Sequence, residues 1–574
     1  MKINLKKFFL NPFALFLIIW GILNFLQALL TPLNNDEAYY WMYSKNLAWG
    51  YFDHPPMIAL MIRIGYTFFH NELGVRIVIV MSQLLAFVAI WLVTDKEQRR
   101  NKENILLFFM IAVILPVFNM YGFIATPDAP LILFSAIFLL VYKRFLEDES
   151  WQNTLFLGIS SAALMYSKYH SGLLIILIIL SNPGLLKRTR FYVAGILALL
   201  LFFPHLLWQY SNGFPSLRYH LVDRISAFNP EHVPDYLASQ FFFHNPLILV
   251  ILVWIMIKVK SKNLFDKALY YITAGFFIFF FVSSFRYRVE PQWTALISIP
   301  MIIIIFNNIG YKPWIRRYVK WVSIILFPLI LFARVAIAID FLPISLLKKE
   351  FHNKKQWVKD ISSIAGNRPV VFTNSYQRPA VYTFYTGKFA YTLDNLSYRK
   401  TQYDLWNFEE QVHGKEVLYV PHFLPDFYKK YLTKEILSNG DSIFVKVFKN
   451  FQSLQRECVI LNDTQYEFSR TGTNLIHLKI FNPYPFMIDF KHKELPVVFQ
   501  IAFIKNGIMQ VKKNLELPDS IPNLSVGGTV LVDCKFRVEE LPPGIYKIAI
   551  CSETGILYDT YNSNFREAVI NEKN

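Results

Sequence analysis

The chain has 574 residues, of which 54% are hydrophobic, 17% aromatic and only 17% charged. That charge content is well below the roughly 25% of soluble domains, so a wholly soluble protein is excluded and a polytopic membrane protein with one or two soluble domains is expected. The net charge of +17 does not indicate a nucleic-acid partner, because most basic residues flank apolar stretches, as topology signals do.

The N-terminus, Met1-Lys-Ile-Asn-Leu-Lys-Lys-Phe, begins like a signal peptide. Its apolar run continues to about residue 30 without a small-residue cleavage site. This predicts an uncleaved first span. A helix needs roughly 20 apolar residues to cross a bilayer, and the pattern predicts spans at 10–30, 76–94, 105–122, 129–145, 191–209, 240–258, 267–285, 293–308 and 319–339. The stretch 155–182 is apolar but interrupted by Ser167-Lys-Tyr-His-Ser-Gly172. It reads as two short helices meeting at a polar turn, a break tolerated where it lines a cavity. The expected total is about eleven spans. The loops 1–9, 95–104, 143–153, 183–190, 258–267 and 309–320 hold 20 Lys and Arg, against 7 in the opposite loops. The N-terminus is therefore expected to be cytoplasmic and the C-terminal region extracytoplasmic.

Past residue 345 the pattern changes. Residues 345–450 alternate short apolar strands with polar helical stretches, as a small α/β domain does. Residues 451–574 show two-residue alternation, as in Ile476-His-Leu-Lys-Ile-Phe, separated by turn signals such as Pro542-Pro-Gly. That predicts an Ig-like β-sandwich. The three cysteines, Cys458, Cys534 and Cys551, form neither a disulfide framework nor a metal motif. They read as buried free thiols, with a Cys534–Cys551 bridge as the alternative.

The polar residues that could carry chemistry collect on one predicted face. Asp36 and Glu37 follow the first span directly, in Thr31-Pro-Leu-Asn-Asn-Asp-Glu-Ala-Tyr-Tyr-Trp41. Asp53 and His54 lie in the same loop. Asp128 sits in the tight junction Ala125-Thr-Pro-Asp-Ala-Pro130, and Lys168 between the two half-helices. His170, Arg218, His220, Arg224, Arg286, Arg288 and Glu290 share that face. Ionisable groups at such places are costly unless paired or functional. The stretch Met57 to Phe69 is too short to span and fits a helix lying in the interface.

In order along the chain, Asp36-Glu-Ala-Tyr-Tyr-Trp, Gly50-Tyr-Phe-Asp-His-Pro-Pro-Met, Thr126-Pro-Asp-Ala-Pro-Leu, Ser167-Lys-Tyr and Leu206-Leu-Trp-Gln resemble the GT-C membrane glycosyltransferases. The nearest branch is that of the protein O-mannosyltransferases and the lipid A aminoarabinose transferase. The resemblance covers about residues 1–340. It implies an inverting transfer of a sugar from a polyprenyl-phosphate donor to a lipid, glycan or protein acceptor, on the extracytoplasmic face of a bacterial inner membrane. The family's first-loop acid corresponds to Asp36, with Glu37 beside it, its later acid to Asp128 and its half-helix lysine to Lys168. A family Glu-Lys pair corresponds to Asp53-His54, and His titrates near neutrality where Lys does not.

Residue chemistry agrees with that implication. A carboxylate can take the acceptor proton, which makes Asp36, Glu37 and Asp128 the catalytic candidates. A departing lipid phosphate needs cations, which makes Lys168, His54, Arg218, Arg224, Arg286 and Arg288 the donor-phosphate candidates. A divalent metal shared by Asp36 and Asp128 is an open alternative without a ligand motif. A transporter or flippase for lipid-linked glycans is the competing reading. Transporters place ionisable groups near the midplane and often show repeats, whereas here the charges lie at one face and no repeat is visible. A non-catalytic binding protein on the same scaffold is a third.

Overall fold

Apolar runs of bilayer length fold as single helices wherever no proline or polar break interrupts them. The computed structural model describes residues 11–224, 228–396, 398–422, 426–518, 521–557 and 559–572. The basic N-terminal segment 1–9 lies outside them. The chain forms two compact units, Met1–Lys354 and Lys355–Asn574.

In the first unit, α1 (Pro12–Leu30) leads into a loop carrying α2 (Asn35–Lys45) and α3 (Met57–Phe68). Then come α4 (Glu72–Val93), α5 (Lys102–Val113) and α6 (Asp128–Glu147). Next are α7 (Trp151–Ser167) and α8 (Ser171–Ser181), parted by the polar break at 168–170, and α9 (Thr189–Ser211). The unit continues through α10 (His232–Phe243), α11 (Pro246–Lys258), α12 (Leu264–Ser283), α13 (Ser298–Asn307) and α14 (Pro313–Ala338). Among the described residues α1, α4, α6, α9, α12 and α14 are each long and apolar enough to cross a membrane, with the bent pair α10–α11 as a seventh candidate. This is an integral membrane unit.

Three expected spans are broken, the first two at a proline. The 105–122 run stops at Val113, and a short helix restarts at Pro116, because proline lacks an N–H and disfavours helix in the residue before it. The 240–258 run bends by 93° at Asn245, which takes a left-handed φ of 66° just before Pro246. The 293–308 run begins as a 3-10 turn, Pro291–Ile297, before α13. α13 is buried along nearly its whole length and serves as the core of the bundle.

The second unit contains helices α15 (Lys354–Ala365) and α16 (Gln377–Thr386) and two kinds of sheet. The strands β1 (Val370–Thr373), β2 (Ala390–Leu393), β3 (Val417–Val420), β4 (Thr433–Ile436) and β5 (Ser442–Phe448) pair in the order β2-β1-β3-β5-β4. β2, β1 and β3 are parallel, and β5 and β4 extend the sheet antiparallel. Burial on both faces of the parallel strands explains their continuous apolar sequences.

Nine further strands follow: β6 (Val459–Ile460), β7 (Gln465–Ser469), β8 (Asn474–Phe481), β9 (Val497–Lys505), β10 (Ile508–Asn514), β11 (Thr529–Phe536), β12 (Gly544–Thr554), β13 (Thr560–Tyr561) and β14 (Arg566–Asn571). They form two sheets, β10-β9-β12-β14-β7 with β13 on β12, and β11-β8-β6. Inward residues of both sheets, among them Ile476, Leu478 and Ile480 with Phe499, Phe503 and Phe536, share one core, so this part is a sandwich. Cys458, Cys534 and Cys551 are buried free thiols.

Glu409 is buried between the α/β sheet and the sandwich. It accepts hydrogen bonds from Ser453 Oγ at 2.6 Å and the Gln455 amide at 3.1 Å. Burial raises its pKa to about 7, against the pull of those donors. A raised acid pKa gives stability that is fully present below the unfolded value and is lost as pH rises through the folded one. Thermal unfolding of the full-length protein is therefore expected to weaken from about pH 4.5 to beyond pH 7, by roughly 3 kcal/mol from this group alone. Glu409→Gln should flatten that part of the pH profile.

Candidate active site

The loop after α1 is fixed at its first turn. Asn34 caps α2, its side chain accepting from the Asp36 amide at 2.9 Å, while Glu37 reaches back to the Asn34 amide at 2.8 Å. This capping box sets Asp36 at the second position of α2, half-buried.

Glu37 goes inward, to a partner that sequence reasoning did not single out. Its Oε1 accepts from Arg76 Nε at 2.7 Å and from the Ala125 amide at 2.8 Å, and its Oε2 from Arg76 Nη2. Arg76 also donates to the carbonyls of Ala28, Thr31 and Pro32. All five guanidinium N–H groups are used, and both side chains have no solvent exposure. Glu37 is thus saturated by structural donors and is not presented to a substrate. Arg76 left one trace in the sequence, a lone cation at the start of an apolar run.

Asp128 opens α6, and Lys168 caps the C-terminus of α7. The structure brings them together: Lys168 Nζ lies 2.7 Å from Asp128 Oδ1, and both side chains are buried. Tyr121 is buried, and both Asp128 and Asp36 act on it electrostatically. Lys168 Nζ binds Asp128 Oδ1, and its positive charge beside the carboxylate disfavours a second cation there. Among the described residues no group of three or more His, Cys, Asp or Glu side chains is arranged to hold a metal ion. The residues present do not fit a bridging metal.

Asp53 is an anchor within the loop. It accepts from Tyr43 OH at 2.6 Å, and its carbonyl meets His220 Nε2 at 3.1 Å. Burial, with Asp53 beside it, holds the Tyr43 phenol well above its ordinary pKa, so it remains a donor. Burial holds the His220 imidazole below its ordinary value, partly offset by Asp53. The His54 ring meets Tyr40 edge-on at 5.6 Å. His54, His220 and Lys168 all act electrostatically on His170, whose ring packs on Phe276 and Phe280.

The arginines separate by environment. Arg224 stacks on Trp293 at 4.5 Å and on Tyr219 at 5.4 Å. Arg218, Arg286 and Arg288 are exposed, and Arg288 pairs with Glu290 at 3.7 Å, a surface contact of little energy.

Two braces escaped the sequence reading. Gln209 Nε2 donates to Tyr169 OH and Ser216 Oγ, Ser216 Oγ donates to the Tyr51 carbonyl, and His205 Nδ1 meets the Trp49 carbonyl at 2.7 Å. Together they tie α9 to the first loop. Lys354 Nζ donates to the Leu33 carbonyl at 2.7 Å, and Glu350 accepts from the Asn34 and Asn35 side chains. Burial brings the Lys354 pKa down to about 8, against the nearby carboxylates of Glu350, Glu37 and Asp36. Nothing in the local sequence marks Lys354.

Residues 53–208 match the family described as dolichyl-phosphate-mannose-protein mannosyltransferase. The fold is that of ArnT from Cupriavidus metallidurans. The apo structure gives a TM-score of 0.57 at 11% identity, over 75% of this chain and 97% of that one. The structure bound to undecaprenyl phosphate gives 0.53 at 14% identity, over the same shares. Over residues 53–208 in sequence, and in fold, the membrane unit is thus similar to the protein mannosyltransferases and to ArnT. In sequence the chain is 24% identical over 240 residues to the lipid A galacturonosyltransferase RgtD of Rhizobium johnstonii. That match takes in 40% of this chain and spans half the length of RgtD.

Arg76→Met leaves Glu37 buried without its counter-ion, and is expected to cost about 3–5 kcal/mol, read as a lower midpoint of thermal unfolding in detergent. Adding Glu37→Gln should recover part of that loss. At Gly50 a Cβ would come 2.3 Å from the Trp208 ring. Gly50→Ala should destabilise by about 1–3 kcal/mol, and Trp208→Leu should relieve part of it in the same assay.

Proposed function

We propose that this protein transfers a sugar from a polyprenyl-phosphate carrier to an acceptor at the membrane face, by a single inverting displacement. The observation that carries the reading is the buried Asp128–Lys168 pair, in a fold similar to that of ArnT, which was solved with undecaprenyl phosphate. The name of RgtD makes lipid A, or a lipid like it, the acceptor class to test first.

Asp36 is the general base. It takes the proton of the acceptor hydroxyl as that oxygen attacks the anomeric carbon, through an oxocarbenium-like transition state. The carbon–oxygen bond to the carrier breaks, and its electron pair leaves with the phosphate. Lys168 and Arg224 meet the developing charge. Asp128 holds the Lys168 ammonium in place, and the Glu37–Arg76 pair holds Asp36. Glu37 is thus a positioning residue, and Arg218, Arg286 and Arg288 contribute at most to attraction of the anionic donor. The excess of Lys and Arg in alternate loops supports a cytoplasmic N-terminus and a site on the extracytoplasmic side of a bacterial inner membrane.

The test is transfer from a panel of labelled polyprenyl-phosphate sugars by the purified protein, with lipid A supplied as acceptor. Asp36→Asn should lower turnover about 10²–10⁴-fold while donor affinity stays unchanged. Lys168→Met should instead weaken donor binding. Full turnover by Asp36→Asn would remove Asp36 from the base role.

A further inference from the structure

At the other end of the helical unit lies a second polar cavity, of about 330 Å³. It is lined by the segment after α4, the last turn of α6, the connection into α12 and the end of α13. Along α4 from Arg76 to Val93, and along α6 from Asp128 to Lys143, the helical rise separates it from the candidate active site by about 25 Å. That is close to the thickness of a bilayer's apolar core, so the cavity opens at headgroup depth on the opposite face.

Its lining carries both signs of charge. Lys96, Lys143, Lys260 and Lys262 face the same space as Asp95, Glu147 and Asp266. Among the described residues no ion pair within 4.0 Å joins any two of them. Lys143 Nζ instead donates to the Val93 carbonyl at 2.7 Å and sits over the Phe265 ring. The Asp95 amide is bound by Asn307 Oδ1 at 2.8 Å, which fixes the floor of the cavity. Topology explains the lysines; Asp95 caps the short helix after α4 through the Glu97 amide at 2.8 Å, and Asp266 Oδ2 accepts from the Lys262 amide at 3.4 Å, which leaves the second oxygen of each and the Glu147 carboxylate for a ligand.

The geometry points to a binding site for a zwitterionic phosphate–ammonium headgroup, that of a phosphoethanolamine lipid. The lysines suit its phosphate and the carboxylates accept from its primary ammonium. A purely anionic headgroup would meet three carboxylates of its own sign, and a quaternary ammonium offers those carboxylates no N–H.

The test uses the full-length protein, delipidated in detergent and titrated by native mass spectrometry and thermal shift. The probes are phosphatidylethanolamine, phosphatidylglycerol, phosphatidylcholine, O-phosphoethanolamine and inorganic phosphate. Phosphatidylethanolamine should bind at least about tenfold tighter than the other two lipids, and Lys262→Gln and Asp266→Asn should each weaken it by about tenfold. Both variants should unfold at the wild-type temperature when lipid is absent. Equal binding of the three lipids, or no effect of either variant, would overturn the site. O-phosphoethanolamine or phosphate binding as tightly as the lipid would overturn the lipid assignment in favour of a soluble phosphate ligand.

Discussion

The buried Glu37–Arg76 ion pair is the contact on which the geometry of the candidate active site depends. Taking two charges out of water costs several kcal/mol each, and their attraction offsets this only when every remaining donor and acceptor is also met. Here every one is met. The carboxylate takes four donors and the guanidinium gives five. The same bonds that satisfy the charges tie four segments together: the end of α1, the first turn of α2, the start of α4 and the stretch before α6. Asp36 is adjacent to Glu37 in the chain, and Asp128 lies three residues beyond Ala125. The spacing of the two acids is therefore set by a contact wholly buried beside them.

Around this anchor the membrane imposes a second rule. Polar backbone at bilayer depth is tolerated only where protein or a polar cavity satisfies it. The break between α7 and α8 places Lys168 at such a point, and Asp128 meets it there. The aromatic loop packs tightly around Asp53: Tyr39, Tyr43 and Tyr51 are almost wholly buried, Tyr43 and Tyr51 stack at 4.0 Å, and Tyr43 OH donates to Asp53. Excluding water in this way strengthens each electrostatic contact inside. The His205, Gln209 and Ser216 brace holds the far side of the same loop.

Much of this was legible before any coordinates. The apolar runs at 10–30, 129–145, 191–209, 267–285 and 319–339 became helices close to those limits, and the polar turn at Ser167-Lys-Tyr-His parted two short helices. The 105–122 and 240–258 runs broke at Pro116 and Pro246, while Pro204 and Pro328 are carried inside continuous helices. Asp36, Glu37, Asp128 and Lys168 stand out in the sequence because a charge beside an apolar span is costly, but only the structure shows that Glu37 turns inward onto Arg76. Adjacent acids in sequence look equivalent, but successive positions on a helix are turned about 100° apart, so Asp36 and Glu37 face different surroundings. Arg218, Arg286 and Arg288 stand out by residue type, and the structure leaves all three exposed.

The sequence by itself determined the membrane class, the position of the helices, the alternating strands of the second unit and the set of ordered polar motifs, because each follows from local hydrophobicity, proline chemistry or period. Only the tertiary structure decided which charges pair. Arg76 meets Glu37 across 39 positions, Lys168 meets Asp128 across 40, and Lys354 reaches Leu33 across 321. Such partners are chosen by packing and by the need to satisfy every buried donor and acceptor, and no local pattern in the chain encodes that choice.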